Sequence, residues 1–247
     1  MLSLENLHFS VDTENGKKEI LRGVSFQIDN PFTVITGPNG GGKSTIAKLI
    51  AGIYTPDAGR ILFNGEDITN LSITERARLG ISYAFQTPVR FKGITVSDLL
   101  NVASGKQISV AEACEYLSNV GLCARDYLNR EVNASLSGGE LKRIEIATVL
   151  ARKTPFAVFD EPEAGIDLWS FASLIKVFEN VREALHGNIV IISHQERILN
   201  IADRIVLISG GLVEREGTKE EILPYLFNGA EQGSCAYLKG RMEESHD

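Results

Sequence analysis

The sequence predicts an α/β fold in which a largely parallel sheet is covered on both faces. Apolar, β-branched runs such as FAVFD and NIVII lack polar alternation, which is typical of strands buried on both sides. Segments with helical spacing separate these strands, an order typical of parallel sheets. The chain has 247 residues and a hydrophobic content of 43%, so it is long enough to bury such a core.

The individual elements follow from local signals. Residues 2–11 and 19–28 alternate around Asn15-Gly16, which predicts a β-hairpin, and a second strand-and-turn unit surrounds Asn64-Gly65. Residues from about 86 to 135 instead predict short helices with caps at Ser97 or Ser109, and therefore a helical subdomain. Another hairpin is predicted around Gly210-Gly211. The tail from residue 228 is polar and weakly patterned.

Composition limits the classes of function. The net charge of −7 argues against a broad nucleic-acid interface, so we expect no nucleic-acid partner. No apolar run reaches the roughly 18 residues of a membrane span, and the N-terminal segment does not resemble a signal peptide. We therefore expect a cytoplasmic protein whose membrane role, if it has one, needs a partner subunit. Cys114, Cys123 and Cys235 are widely spaced and do not predict a metal site.

A phosphate loop is predicted at residues 37–45, GPNGGGKST, which fit the pattern G-x-x-x-x-G-K-[ST]. Glycines allow successive N–H groups to surround phosphate oxygens, and the N-terminus of the following helix favours an anion. The alternative is a glycine-rich turn with an incidental lysine. A strand before the loop and helical spacing after it (Ile46, Leu49, Ile50 and Ile53) favour nucleotide binding. The predicted ATP-binding residues are Gly37, Pro38, Asn39, Gly40, Gly41, Gly42, Lys43, Ser44 and Thr45.

A pair of acids, Asp160 and Glu161, ends the apolar run FAVFD-E. Burying carboxylates is costly unless a partner compensates. Beside a phosphate loop, Asp160 is suited to Mg²⁺ and Glu161 to the attacking water. The alternative is that both acids simply lie at the exposed end of the strand.

The segment at residues 136–140, LSGGE, narrows the possible classes of nucleotide hydrolase. We name this segment the signature turn. It resembles the signature sequence of ATP-binding-cassette (ABC) ATPases. The other motifs follow in the expected order, with Gln86 in the Q-loop, Asp167 in the D-loop and His194 as the switch histidine. The chain is therefore identified as a member of the ABC ATPase family. The resemblance implies a P-loop NTPase fold, with a RecA-like core, an antiparallel β subdomain and an inserted helical subdomain at about residues 87–137.

The resemblance also implies one ABC ATPase domain at residues 1–227, a tail at 228–247, and a head-to-tail homodimer formed on ATP. Each signature turn would then act on the other subunit's ATP through Ser137, Gly138, Gly139 and Glu140. For His194 the alternative is a packed histidine at a strand end. The implied catalytic residues are Lys43, Gln86, Glu161 and His194, and the implied Mg²⁺ ligands are Ser44, Gln86 and Asp160.

Several stretches are similar to the SufC group, the ATPases of the Suf iron–sulfur cluster assembly system. These are AFQTPV around Gln86, LSGGELKR at the signature turn and DEPEAGID after the acidic strand. This similarity implies a soluble scaffold partner of the SufB/SufD kind. The alternative is the ATP-binding subunit of an ABC membrane transporter, bound to transmembrane permease subunits. Val11 occupies the position where related ATPases often place an adenine-stacking aromatic, and Phe9 lies two residues earlier.

Overall fold

A computed structural model describes residues 1–14, 16–133, 135–164, 166, 168–184 and 187–228. The strands, in chain order, are β1 (Leu2–Thr13), β2 (Gly16–Ile28), β3 (Phe32–Thr36), β4 (Ala58–Phe63), β5 (Glu66–Asp67), β6 (Ile81–Ala84), β7 (Phe156–Asp160), β8 (Asn188–Ile192), β9 (Arg204–Ser209) and β10 (Leu212–Thr218). The helices are α1 (Lys43–Ala51), α2 (Ile73–Arg78), α3 (Val96–Ser104), α4 (Val110–Asn119), α5 (Ala124–Tyr127), α6 (Gly138–Arg152), α7 (Leu168–Ala184), α8 (Glu196–Asn200) and α9 (Lys219–Asn228).

The larger sheet has six strands in the order β10-β9-β3-β8-β7-β6. Its five strands from β9 to β6 are parallel, and β10 pairs antiparallel with β9 through the Gly210-Gly211 turn. All residues of β3 and β7 are buried, as their mostly apolar and β-branched sequences predict. This arrangement brings the phosphate loop after β3 and the acidic pair after β7 to the same edge of the sheet.

The smaller sheet has four antiparallel strands in the order β2-β1-β4-β5. Strands β1 and β2 form the predicted N-terminal hairpin, whose turn residue Asn15 lies outside the described residues. Asn64 and Gly65 both have positive φ angles (52° and 87°), which a tight turn between β4 and β5 requires.

The two faces of the six-stranded sheet bury separate hydrophobic clusters. Along β3, Phe32 and Val34 pack into one cluster and Ile35 into the other, because side chains alternate across a strand. Helices α3, α4, α6 and α7 contribute to the first cluster, whereas α1 and the four-stranded sheet contribute to the second. The expected α/β fold, with its antiparallel sheet and its group of inserted helices, is confirmed.

Two local predictions differ from the structure. The N-cap of α3 is Thr95, which forms a complete capping box with Asp98, and Ser97 lies inside the helix. Ser109 is the N-cap of α4, as predicted. Helix α1 ends at Ala51 because Gly52 adopts a left-handed conformation with φ of 79°, so Ile53 lies beyond the helix.

Within the described part of the chain, no helix is long and apolar enough to cross a membrane. Asp167 of the D-loop, Cys235 and all of the tail after Asn228 lie outside the described residues.

Candidate active site

The phosphate loop connects β3 to α1 and depends on glycine at two positions. Gly37 has a φ of 137°, and a Cβ atom there would lie 1.9 Å from the carbonyl oxygen of Ile208. Gly42 has a φ of 105°, and a Cβ would lie 2.6 Å from a methyl group of Leu21. Side chains at either position would displace the loop, so the close packing of β9 and β2 against it requires glycine.

Lys43 is buried inside this loop. Its Nζ donates hydrogen bonds to the carbonyl oxygens of Gly37 at 2.8 Å and Pro38 at 2.9 Å. Burial lowers the pKa of Lys43 below its ordinary value, and the carboxylates of Glu161 and Asp160 oppose this effect. The lysine therefore places a positive charge at the wall of a cavity of about 220 Å³. That cavity is lined by Ile20, Asn39, Gly40, Gly42, Lys43, Ser44, Thr45 and Glu161.

Asp160 is the last residue of β7 and is 2% exposed. Its two carboxylate oxygens accept hydrogen bonds from different hydroxyls, Ser44 Oγ at 2.9 Å and Tyr83 Oη at 2.8 Å. Burial raises the pKa of Tyr83 and the charge of Asp160 raises it further, so the phenol stays a donor. The alternative of an exposed strand end therefore does not hold for Asp160. Tyr83 was missed from the sequence because only the pairing of β6 with β7 brings it to Asp160.

Glu161 and Gln86 meet beside the phosphate cavity. The Nε2 of Gln86 donates to Glu161 Oε2 at 2.5 Å. Glu161 has a φ of 44°, an unusual value for a residue with a side chain, and its backbone N–H is bonded to the carbonyl of Ile192. Strained backbone of this kind persists where surrounding structure holds it and is common at functional sites.

A second acid, Glu163, is buried two residues further along and was not predicted as a site residue. Ser193 Oγ donates to its Oε1 at 2.5 Å, while Oε2 has no hydrogen-bond partner among the described residues. Burial raises the pKa of Glu163 to about 7, and the nearby charge of Glu161 acts in the same direction. Because Ser193 directly precedes His194, this hydrogen bond joins the loop after β7 to the loop after β8.

His194 follows β8, as predicted, but its side chain is exposed. Its ring nitrogen Nε2 lies 3.4 Å from the side-chain amide of Gln195. The alternative of a packed histidine is therefore wrong. The structure places the ring at the same edge of the sheet as Glu161 without bringing the two side chains into contact.

The signature turn begins α6. Ser137 is the N-cap, its Oγ accepts the N–H of Glu140 at 3.2 Å, and its own N–H donates to Glu140 Oε2 at 2.6 Å. Tyr127 Oη donates to the other oxygen, Oε1, at 2.5 Å, and Arg130 lies at 3.3 Å from it. These donors lower the pKa of Glu140 to about 2, with the Tyr127 hydrogen bond as the largest cause. The N–H groups of Gly138 and Gly139 have no intrahelical acceptor, because they belong to the first turn.

The signature turn does not reach this chain's own phosphate cavity. Among the described residues that line that cavity, none belongs to residues 136–140. Gly138 instead lines a separate open cavity of about 740 Å³, together with Gln86, Thr87, Pro88, Arg90, Leu141 and Ala164.

The oxygen donors near the phosphate loop fit Mg²⁺. The Ser44 hydroxyl and the Asp160 carboxylate are hard donors, and they lie side by side at the cavity wall. No cluster of three or more His, Cys, Asp or Glu occurs in the described part of the chain. Mg²⁺ that arrives with a nucleotide needs only one or two protein oxygens, because phosphates and waters supply the others.

Comparisons with known proteins identify the family. A family model described as ABC transporter matches residues 21–164. The chain belongs to the ABC transporter family. This ABC ATPase is 40% identical over 231 residues to an uncharacterised ABC transporter ATP-binding protein of Methanocaldococcus jannaschii, with 90% of each chain covered. It hydrolyses ATP and uses ATP with Mg²⁺.

Two further similarities concern more distant proteins. The iron–sulfur cluster assembly protein SufC of Plasmodium falciparum is 35% identical over 216 residues, which cover 81% of the ABC ATPase described here and 61% of that relative. A nucleotide-free ATP-binding cassette from an ABC transporter superposes with a TM-score of 0.76 at 28% identity, covering 92% of this chain and 95% of that one. The relatives therefore include both a cluster-assembly protein and a transporter cassette.

Proposed function

We propose that the chain forms an ATP-dependent homodimer that drives conformational change in a scaffold of the SufB/SufD kind during iron–sulfur cluster assembly. The proposal also assigns residues 1–227 to one ATPase domain with a helical subdomain at about residues 87–137. The observation that supports the dimer is the separation between the phosphate cavity and the signature turn of the same chain. Lys43, Ser44 and Glu161 line the phosphate cavity, while Gly138 of the signature turn lines a different cavity.

In the proposed dimer, residues 37–45 bind the phosphates, and Lys43 neutralises part of their charge. Ser44 and Asp160, with Gln86, would hold Mg²⁺, which when bound shields the negative charge of the phosphates. Glu161 accepts the proton of the attacking water, and Gln86 holds that carboxylate in place. The exposed ring of His194 is free to approach the nucleotide when the dimer closes.

The partner's signature turn completes the site. Ser137 keeps its hydroxyl proton available, since its oxygen accepts the N–H of Glu140. Together with the N–H groups of Gly138 and Gly139, it offers donors at the positive end of α6 to the phosphate of the other subunit. The proposal keeps Asp167, which lies outside the described residues, as the D-loop residue.

The SufC-like role is supported by the similarity to SufC of Plasmodium falciparum and by Glu140, which replaces the glutamine common in ABC signatures. The second candidate is the ATP-binding subunit of a membrane transporter. The superposition on a transporter cassette favours it.

The Glu161→Gln variant tests the function and separates the two roles. It should hydrolyse ATP at least 100-fold more slowly and accumulate as an ATP-bound dimer in size-exclusion chromatography with light scattering. Turnover at the wild-type rate would overturn the base role of Glu161. The same variant, tagged and saturated with ATP, is then used to isolate partners from the native cell. A SufB/SufD-type scaffold supports cluster assembly, whereas a transmembrane permease establishes the transporter alternative.

A further inference from the structure

The residue before Gln86 has both of its backbone polar groups bound by side chains from one helix. The N–H of Phe85 donates to Glu145 Oε1 at 2.9 Å, and the carbonyl oxygen of Phe85 accepts a hydrogen bond from Lys142 Nζ. Lys142 also pairs with Glu145 Oε2 at 2.9 Å. We name this group of three residues, Phe85, Lys142 and Glu145, the backbone clamp.

Burial of the Lys142–Glu145 ion pair is not explained by stability alone. The side chains of Lys142 and Glu145 are 2% and 16% exposed. A buried ion pair usually stabilises a fold no better than apolar side chains of the same volume. Burial raises the pKa of Glu145, whereas Lys142 and the N–H of Phe85 favour its charged form. An apolar contact between α6 and β6 would therefore fill the same space, but it could not hold the backbone of Phe85.

The backbone clamp lies between the Gln86–Glu161 pair and the signature turn. On one side, Gln86 follows Phe85 directly and holds Glu161 through the 2.5 Å hydrogen bond. On the other side, Lys142 lies one turn after Ser137 and Gly138 on α6. The signature turn is thus connected to Glu161 by a continuous series of contacts. One turn of α6 leads to Lys142, hydrogen bonds join Lys142 and Glu145 to Phe85, and Phe85 is bonded covalently to Gln86, which binds Glu161.

We propose that Lys142 and Glu145 are positioning residues that couple the two ATP sites of the dimer. In this arrangement, seating the signature turn on the partner's ATP moves α6, and the clamp transmits that movement to Gln86 and Glu161 of the chain's own site. The inference rests on the proposed dimer, because it assigns the clamp a role between a trans site and a cis site. Coupling of this kind must be measured directly.

The test is a double variant, Lys142→Met with Glu145→Leu, which keeps the volume and removes the clamp. Wild-type hydrolysis should depend on ATP concentration with a Hill coefficient approaching about 2, the number of sites, and the variant should fall to about 1 with a roughly tenfold lower kcat. ATP binding to the monomer should change less than about twofold, since no clamp residue lines the phosphate cavity. The exposed pair Arg60–Glu5, replaced by Met and Leu, is the matched control.

Each outcome decides the inference. A double variant that retains the wild-type Hill coefficient and kcat overturns the clamp, even if its melting temperature changes. If the double variant does not fold, Glu145→Asp keeps the charge but shortens the side chain, and it should show the same loss of cooperativity. Retained cooperativity in Glu145→Asp then overturns the inference. Wild-type protein that neither dimerises on ATP nor shows cooperativity overturns the proposed function itself.

Discussion

The phosphate loop and the signature turn both place glycines at the start of a helix, but they treat the N–H groups of that helix differently. Helix α1 begins at Gly42, which provides no side-chain cap, so its first N–H groups remain available. Helix α6 begins with a complete capping box between Ser137 and Glu140. The start of α1 thus has no side chain bound to its first N–H groups, whereas in the signature turn Ser137 binds the N–H of Glu140 and leaves those of Gly138 and Gly139.

The difference shows how each helix is secured. Helix α1 lacks a cap at its start, and buried Arg76 donates hydrogen bonds to the carbonyl oxygens of Leu49 and Ile50 at its end. Helix α6 is secured at its start through Glu140, which Tyr127 and Arg130 bind in turn. The helix after the phosphate loop is therefore held at its C-terminal end, whereas the helix after the signature turn is held at its N-terminal end.

Lys43→Ala should produce the largest effect, because it removes the only charge inside the phosphate loop. ATP affinity should fall about 1,000-fold, or about 4 kcal/mol, in isothermal titration calorimetry. Lys48→Ala is the control, since Lys48 lies on the same helix but faces the ring of Tyr54. Unchanged affinity in Lys43→Ala would refute the role of the loop.

Arg76→Met tests whether α1 is secured from its C-terminal end. Arg76 is 1% exposed and also binds the carbonyl oxygens of Thr69 and Leu71, so its loss leaves buried acceptors unpaired. The free energy of unfolding should fall by about 3 kcal/mol in denaturant titrations. Arg78→Met, on the exposed face of α2, should change it by less than about 0.5 kcal/mol. Equal effects of the two variants would contradict this role.

Glu163→Gln tests the raised pKa of the buried carboxyl in the loop after β7. The pKa of Glu163 is raised to about 7, whereas that of Glu140 in the signature turn is lowered to about 2. A raised carboxyl pKa contributes stability below the unfolded value of 4.5, and this contribution is lost as pH rises through about 7. The stability of wild type relative to Glu163→Gln should therefore decrease by about 3 kcal/mol between pH 4 and pH 8.5.

The measurement is urea unfolding across that pH range. Glu179→Gln, at an exposed position on α7, is the control for the substitution itself. A wild-type profile parallel to that of Glu163→Gln would show that folding does not raise the pKa of Glu163.

Ser137→Arg breaks the signature turn at its contact surface. A bulky cation there should prevent the ATP-dependent dimer and lower turnover by about 100-fold, while monomer ATP binding stays intact. Ser109→Arg is the control, since Ser109 caps α4 with the same box on a different surface. Hydrolysis at the wild-type rate in Ser137→Arg would exclude a trans role for the turn, and loss of hydrolysis in Ser109→Arg as well would show that the substitution acts by breaking a capping box.

Tyr127→Phe and Glu140→Gln together test whether Tyr127 secures the start of α6, and they should have the smallest effect. A double-mutant cycle on unfolding free energy should give a coupling of about 1 kcal/mol, the value typical of a charge-assisted hydrogen bond that is half-buried. Asp98→Asn measures a capping box alone, because Asp98 binds only Thr95 among the described residues. Zero coupling would mean that Tyr127 does not support the signature turn.

The sequence alone was sufficient for the features that depend on short spacing. The phosphate loop, the buried strands, the turns at Asn64-Gly65 and Gly210-Gly211 and the family were all predictable, because glycines, β-branched runs and ordered motifs act locally. The prediction of Ser97 as the cap of α3 was wrong, because the cap is Thr95. Both residues can cap a helix, and only the side chain of Asp98, bonded back to Thr95, distinguishes them.

Only the tertiary structure decided which polar side chains meet. Tyr83 and Asp160 are 77 residues apart, Lys142 and Phe85 are 57 apart, and Ser193 and Glu163 are 30 apart. Parallel strand order and helix packing bring these groups together, and neither is encoded in local spacing. A motif identifies the residues that can bind a nucleotide, whereas the hydrogen bonds that orient Asp160, Gln86 and Glu161 form only when distant elements pack against one another.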